Sequence, residues 1–205
     1  MAIFLCLLVG YLLGGLNGAI VVSRLTQHED VREKGSGNAG MTNFMRNYGW
    51  STTVLVIILD LGKAFLGVWL ASVIWPEGGD FARMLGGAAA QIGHVFPVFF
   101  GFRGGKGILT AAGVAMAMSW RVFLPLFAVF LLVVLLTKYV SLGSVVVAAA
   151  YPVAFWLAFP GEYGIVALAA VMAVLAIFMH RGNIKRLLHG QERKTYFHSS
   201  KNKEE

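Results

Sequence analysis

The sequence predicts an all-α fold, a polytopic membrane helix bundle of about seven hydrophobic segments, some short or half-spanning, with the N-terminus outside and the C-terminus cytoplasmic. Three observations carry that reading. Of 205 residues, 58% are hydrophobic and 13% charged, with a mean hydropathy of +0.72; a soluble domain of this size carries about 25% charged residues. The apolar residues gather in segments near 2–25, 52–75, 84–100, 108–119, 121–137, 140–159 and 163–180, against about 20 apolar residues needed to cross a hydrocarbon core of roughly 30 Å. If the segments alternate direction, 14 of the 17 Lys and Arg residues fall on one side, which the positive-inside rule makes cytoplasmic.

The segment at 2–25 reads as a membrane helix and not as a secretory signal, because no Lys or Arg precedes it and no small-residue cleavage site follows. Cys6 is the only cysteine, which excludes an internal disulfide and a multi-cysteine metal site. Asp60 and Lys63 interrupt 52–75 at i, i+3 spacing. A charge at a helix centre costs about 2.5–3.5 kcal/mol on insertion scales, so the two face each other or the bundle interior, an ion pair supporting the site above it. The segment at 108–119 is too short to span unaided, and 84–100 and 121–137 are marginal, so half-helices or interfacial helices are expected mid-chain. The outer loops at 76–83 and 161–164 give no functional signal. Residues 1–194 read as one membrane domain and 195–205 as a disordered cytoplasmic tail. The net charge of +7 is a topology signal, spread over short loops beside a membrane, and no nucleic-acid partner is expected.

Three cytoplasmic stretches carry chemistry. Gly35–Gly49, GSGNAGMTNFMRNYG, is dense in residues that turn a backbone and offer short polar side chains, among them Ser36, Asn38, Thr42 and Asn43, and it contains Arg46. Gly35, Gly37 and Gly40 spell GxGxxG, but the dinucleotide fingerprint must follow a strand, and a membrane helix and the charged run HEDVREK precede this one. Gly93–Gly107, GHVFPVFFGFRGGKG, passes from an aromatic-rich apolar run into a glycine cluster holding Arg103 and Lys106. Successive backbone N–H groups in such a turn form anion-binding nests, and two cations among them make a phosphate or carboxylate the natural guest. The P-loop pattern fails there, because Phe100 stands where its first glycine belongs and Gly107 where it needs Ser or Thr. His94 does not open an HxxxxD acyltransferase motif, since Phe99 holds the acidic position. The third stretch, HRGNIKRLLHGQERK from His180 to Lys194, puts His180 and Asn183 on one face of a continuing helix. Leu187 and Leu188 beside Lys185, Arg186 and Arg193 suggest an interfacial amphipathic segment. A further turn, KYVSLGS at 138–144, offers Ser141 and Ser144 at capping positions. No paired carboxylates, metal cluster or nucleophilic triad accompany these groups. The constellation can hold two phosphates and would act by positioning and electrostatics.

GSGNAGMTNFMR, GHVFPVFFGFRGGKG and HRGNIKRLLHGQE resemble, in order and on one side of the membrane, the three cytoplasmic motifs of the bacterial acyl-phosphate:glycerol-3-phosphate 1-acyltransferases. The resemblance covers most of the chain, including DLGK of the second segment and the KYVSLGS turn. Departures are small: Met41 replaces a usually smaller residue, Met179 precedes His180 where a basic residue is common, and Gly182 sits at a variable position. The resemblance implies transfer of a fatty acyl group from acyl phosphate to the 1-hydroxyl of glycerol 3-phosphate, giving lysophosphatidic acid and phosphate without an acyl-enzyme or cofactor. It assigns catalysis to Ser36, Arg46, Lys106, His180 and Asn183. Asn38, Thr42, Asn43, His94, Arg103, Ser141 and the amides of Gly104 and Gly105 are assigned to substrate binding. His180 is expected to orient the glycerol substrate first and act as a base second, since the donor's own phosphate can take the proton. Implied partners are glycerol 3-phosphate, a long-chain acyl phosphate, membrane lipid and the enzyme that makes the acyl phosphate; the implied location is the bacterial inner membrane, with the site facing the cytoplasm. The competing class is a small membrane transporter or channel for an anion, suggested by Asp60 with Lys63 and the broken segments.

Overall fold

In lipid every backbone polar group must be satisfied within the chain, which leaves helices as the way to arrange apolar segments such as these. The computed structural model describes residues 1–195, and among them it places ten α-helices and no strand. They are α1 Ala2–Gly15, α2 Gly18–Gln27, α3 Met41–Tyr48, α4 Trp50–Ile74, α5 Gly79–Val95, α6 Ile108–Met118, α7 Trp120–Thr137, α8 Val140–Ala158, α9 Tyr163–Met179 and α10 Arg181–Leu188. The stretch Ala2–Gln27 and helices α4, α7 and α8 are long and apolar enough to cross a membrane, and α9 with α10 forms a further candidate bent by 57°. The tail expected beyond residue 194 lies outside the described residues except for Thr195, which is buried.

Packing is inverted relative to a soluble protein. Large side chains such as Ile58, Trp69, Leu132, Leu136 and Val174 are exposed, while the interior is rich in Ala, Gly and Val. Without a hydrophobic drive between helices in lipid, small residues that let backbones approach are what hold a bundle together. Helix α5 shows this most strongly. Its run Gly86, Gly87, Ala88, Ala89, Ala90 is buried, and it packs on α1, α4, α6 and α9. A Cβ on Gly10 would strike the carbonyl of Gly86, one on Gly14 that of Ala90, and one on Gly93 that of Tyr11. These glycines set the distance between α1 and α5.

Three elements differ from the sequence expectation. The first span is not continuous: it breaks at Leu16–Asn17, where Asn17 takes an extended conformation and caps α2 by accepting from the Ile20 N–H at 3.1 Å. The polar loop after it is partly helical, with Arg46 on α3. The segment expected at 84–100 is a helix that starts earlier, at Gly79, and stops at Val95, followed by a 3-10 turn at Val98–Phe100.

Candidate active site

The broken first span creates a problem that the buried charges answer. Breaking a helix at membrane depth frees backbone groups that lipid cannot satisfy. Here the freed Leu16 carbonyl accepts from Lys63 Nζ at 3.2 Å, and the freed Gly18 N–H donates to Asp60 Oδ1 at 3.0 Å. Lys63 also pairs with Asp60 Oδ1 at 2.7 Å and donates to His94 Nδ1 at 2.9 Å. The ammonium's three protons therefore meet three acceptors. Because Lys63 can only donate, His94 Nδ1 is an acceptor and the proton of the neutral ring sits on Nε2. The 3.5 Å approach of His94 Nδ1 to Asp60 Oδ1 follows from both atoms accepting from one ammonium. The ion pair expected from the i, i+3 spacing is thus present, with His94 and the span break as its further members.

Above this network two loops are tied together. In the loop before α3, Asn43 accepts from the Ser36 N–H at 2.9 Å and donates to the carbonyls of Val31 and Lys34, each at 3.1 Å. Arg32, paired with Asp30, donates across to the carbonyls of Phe100 at 2.7 Å and Arg103 at 2.9 Å. In the loop before α6 the N–H groups of Gly104 and Gly105 donate to the carbonyls of Val95 and His94, both at 3.1 Å. These amides are therefore not free to cradle a phosphate. Their lack of a side chain matters for another reason: a Cβ on Gly104 would strike the His94 carbonyl, and one on Gly105 would strike His94 Nε2 and come within 2.6 Å of the Ala39 carbonyl. Arg103 is exposed and lies outside the cavity described next, and its carbonyl is the group that the loop uses. Asn43 lines the cavity, but its polar atoms hold the loop.

The cavity, of about 770 Å³, opens between these loops, α3 and the end of α9. Its rim carries Ser36, Asn38, Thr42, Arg46, Lys106, Asn183, Arg186, Glu192 and Arg193. Its remaining walls are largely apolar, with Leu109, Phe123, Phe127, Phe130, Val147, Tyr151 and Met172, and also carry Asp60, Gln91 and His94. Lys106 donates to Asn183 Oδ1, and Asn183 Nδ2 donates to Glu192 Oε1 at 2.8 Å. Ser141 donates to the same oxygen at 3.0 Å, and Arg186 pairs with Glu192 Oε2 at 2.7 Å. Arg46 donates to Thr195 Oγ1 at 2.7 Å. His180 sits at the bend between α9 and α10, buried, with Nδ1 against the Ala176 carbonyl at 2.7 Å. A ring nitrogen facing a carbonyl must donate, so in the neutral ring Nε2 carries the lone pair.

Two groups set the electrostatics. Burial pushes the Lys106 ammonium down to about 8, with Arg186 and Arg46 adding to the effect and Glu192 opposing it. Burial alone would raise the Glu192 carboxyl, but hydrogen bonds from Asn183, Arg186 and Ser141 and the Arg186 charge outweigh it and hold it below the ordinary range. Sequence reasoning gave Glu192 no role. Its signal was chemical: it is the acid in an otherwise basic stretch, and a Gly190 turn with φ of 67° carries it back over Asn183. The structure thus brings Ser36, Asn38, Thr42, Arg46, Lys106, His180 and Asn183 to one cavity, sets His94 in its wall and Ser141 behind Glu192, and leaves Gly104, Gly105 and Arg103 as framework. Among the described residues no group of three or more His, Cys, Asp or Glu side chains is placed to hold a metal ion.

A cationic rim over an apolar trough within a bundle of membrane helices defines a class, proteins that handle an anionic headgroup and an acyl chain together. The sequence profile of the glycerol-3-phosphate acyltransferases matches residues 4–190, and the chain belongs to that family. It is similar to the glycerol-3-phosphate acyltransferase of Photobacterium profundum, 37% identical over 194 residues that cover 95% of this chain and 93% of the relative. It is also similar to two crystal structures of PlsY (YgiH), an integral membrane glycerol 3-phosphate acyltransferase. The glycerol 3-phosphate form matches with a TM-score of 0.88 at 36% identity, covering 96% of each chain. The lysophosphatidic acid form matches with a TM-score of 0.85 at 35% identity, again covering 96% of each.

Proposed function

We propose that this protein transfers a fatty acyl group from a long-chain acyl phosphate to the 1-hydroxyl of glycerol 3-phosphate, in the bacterial inner membrane with the site open to the cytoplasm. The observation that carries the reading is the continuity of one cavity from a rim with Arg46, Lys106, Arg186 and Arg193 into walls lined by Phe123, Phe127 and Phe130. An acyl phosphate and a glycerol phosphate each need a cationic seat, and the acyl chain needs the trough. That the cations lining the cavity, Arg46, Lys106, Arg186 and Arg193, come from loops and the short helices α3 and α10 and none from a long apolar helix supports an acyl-transfer site over an anion transporter, whose binding groups sit at mid-depth.

The chemistry follows from the groups present. Arg46 and Lys106 hold the two phosphates together against their repulsion, Arg46 in two-pronged fashion, while Ser36, Asn38 and Thr42 donate to the same oxygens. His180 Nε2, kept as a lone pair by the Ala176 carbonyl, accepts from the attacking hydroxyl and orients it. The hydroxyl oxygen bonds to the acyl carbon, the carbon–oxygen bond to phosphate breaks, and the departing phosphate takes the proton. The donor is already a mixed anhydride, so no acyl-enzyme is needed. Glycerol 3-phosphate, the acyl phosphate and membrane lipid are its partners, and the cytoplasmic rim is where the enzyme that makes the acyl phosphate would deliver it. The test is purified protein given an acyl phosphate and glycerol 3-phosphate, with lysophosphatidic acid and phosphate followed together. Equal amounts of both are expected, and Lys106→Ala and Arg46→Ala should each lower kcat/KM by roughly 100-fold. Product formation undiminished in both variants, or none from the wild type, overturns the reading.

A further inference from the structure

Asn17 belongs to none of the three cytoplasmic stretches and does not line the cavity, yet it is fully buried where α1 gives way to α2. Its side chain makes three approaches at once. Oδ1 caps α2 through the Ile20 N–H, Nδ2 donates to the Ala39 carbonyl at 3.1 Å, and Nδ2 also lies 3.5 Å from His94 Nδ1. Ala39 sits between Asn38 and Thr42 in the first polar loop, and its carbonyl is packed against Gly105, the neighbour of Lys106. His94 in turn accepts from Lys63 and supplies the carbonyl that the Gly105 N–H reaches. One amide group therefore joins the break in the first span, the loop that carries Ser36 and Asn38, and the helix end that holds the loop of Lys106. Capping alone does not account for it: Ser or Asp caps a helix about as well as Asn, but neither offers an N–H donor together with the capping oxygen.

We infer that Asn17 is a positioning residue for acyl transfer, its amide setting the spacing between the Ser36–Asn38 loop and the Lys106 loop. The inference rests on the acyltransferase reading, in which groups of both loops must meet the two phosphates at once. Without the amide donor the buried Ala39 carbonyl loses its partner, and the loop relaxes away from Lys106. Displacements of about 1 Å far from the reacting atoms can cost on the order of 100-fold in rate.

The test pairs Asn17→Ser, which keeps the cap and removes the tether, with Asn17→Asp, which keeps the cap and shape but sets an acceptor against the Ala39 carbonyl. Each is assayed in detergent with acyl phosphate and glycerol 3-phosphate, alone and combined with Ser36→Ala, alongside thermal unfolding. Asn17→Ser is expected to lower kcat/KM for glycerol 3-phosphate by about 10-fold, Asn17→Asp by more, at a temperature below the unfolding onset of both variants, each of which unfolds a few degrees below wild type. In the Ser36→Ala background the Asn17→Ser effect should largely vanish, because a displaced loop matters less once its ligand is gone. With an active wild type, kinetics unchanged in Asn17→Ser, effects that add in full to Ser36→Ala, or losses that follow the unfolding midpoint in both variants overturn the inference. An inactive wild type instead overturns the acyltransferase reading, and this inference with it.

Discussion

Lys106 is the residue whose environment makes the sharpest prediction. Burial lowers its ammonium to about 8, so in the free enzyme it is charged below that pH and neutral above it. A bound phosphate favours the charged form, so affinity must fall as the pH rises through that value. Because kcat/KM reports groups of the free enzyme, kcat/KM for glycerol 3-phosphate is expected to decline above about pH 8. Lys106→Arg, charged throughout this range, should show a lower plateau without the decline; a profile identical in both proteins would remove Lys106 from the anion site. The stability sign is opposite. The unfolded Lys keeps its proton to about 10.4, so between about pH 8 and pH 10.4 the unfolded state binds more protons and this group's contribution to stability rises with pH. Lys106 was legible in the sequence as a cation among glycines. Glu192 was not, because its part depends on a turn that brings a distant carboxylate onto Asn183, a contact that no helical spacing announces.

At the scale of elements the glycine cluster before α6 changes meaning. From sequence, Gly104 and Gly105 read as amides for an anion; their amides are taken by the carbonyls of Val95 and His94, and their small size is what counts. Gly105→Ala brings a Cβ to 2.6 Å from the Ala39 carbonyl, and overpacking of this kind costs about 1–3 kcal/mol. Gly62→Ala is the contrasting change. No atom beyond its own turn of helix lies within 4 Å of its Cβ position, and replacing an interior helix glycine by alanine favours the helix by up to about 1 kcal/mol. Unfolding in denaturant should therefore rank Gly105→Ala below wild type and Gly62→Ala at or above it; equal stability for the two would refute the close-packing role. The break in the first span was illegible for a related reason. Gly14, Gly15, Asn17 and Gly18 mark the break, but the stretch is apolar enough on average to count as one span, and only the partners it meets, Asp60 and Lys63 from another helix, make a break tolerable.

For the whole molecule, the apolar segments were read correctly as helices because length and composition decide that in lipid. Their depth was harder, since α5 and α6 are shorter than a span and are placed by what surrounds them. The orientation we propose rests on charge: the basic residues cluster at the end where the cavity opens, while Arg83 and Arg121 lie at the other end of their helices. With Cys6→Ala as background, a membrane-impermeant maleimide applied to intact cells should label Glu162→Cys and spare Ser36→Cys, and the pattern should invert in inside-out vesicles. Labelling of both from one side would separate the polar loops from the cytoplasm.

The encasement of α5 bears on how the chain enters the membrane. This helix carries Arg83, Gln91, His94 and four glycines, Gly79, Gly86, Gly87 and Gly93, and gains little from contact with lipid. Its neighbours supply what the bilayer does not: α1 and α4 meet its glycines, and Lys63 meets His94. We predict that such a segment enters the bilayer as the second arm of a hairpin with α4 through the short turn at Trp75–Gly78, so α5 tested alone for membrane insertion should insert less than the α4–α5 pair.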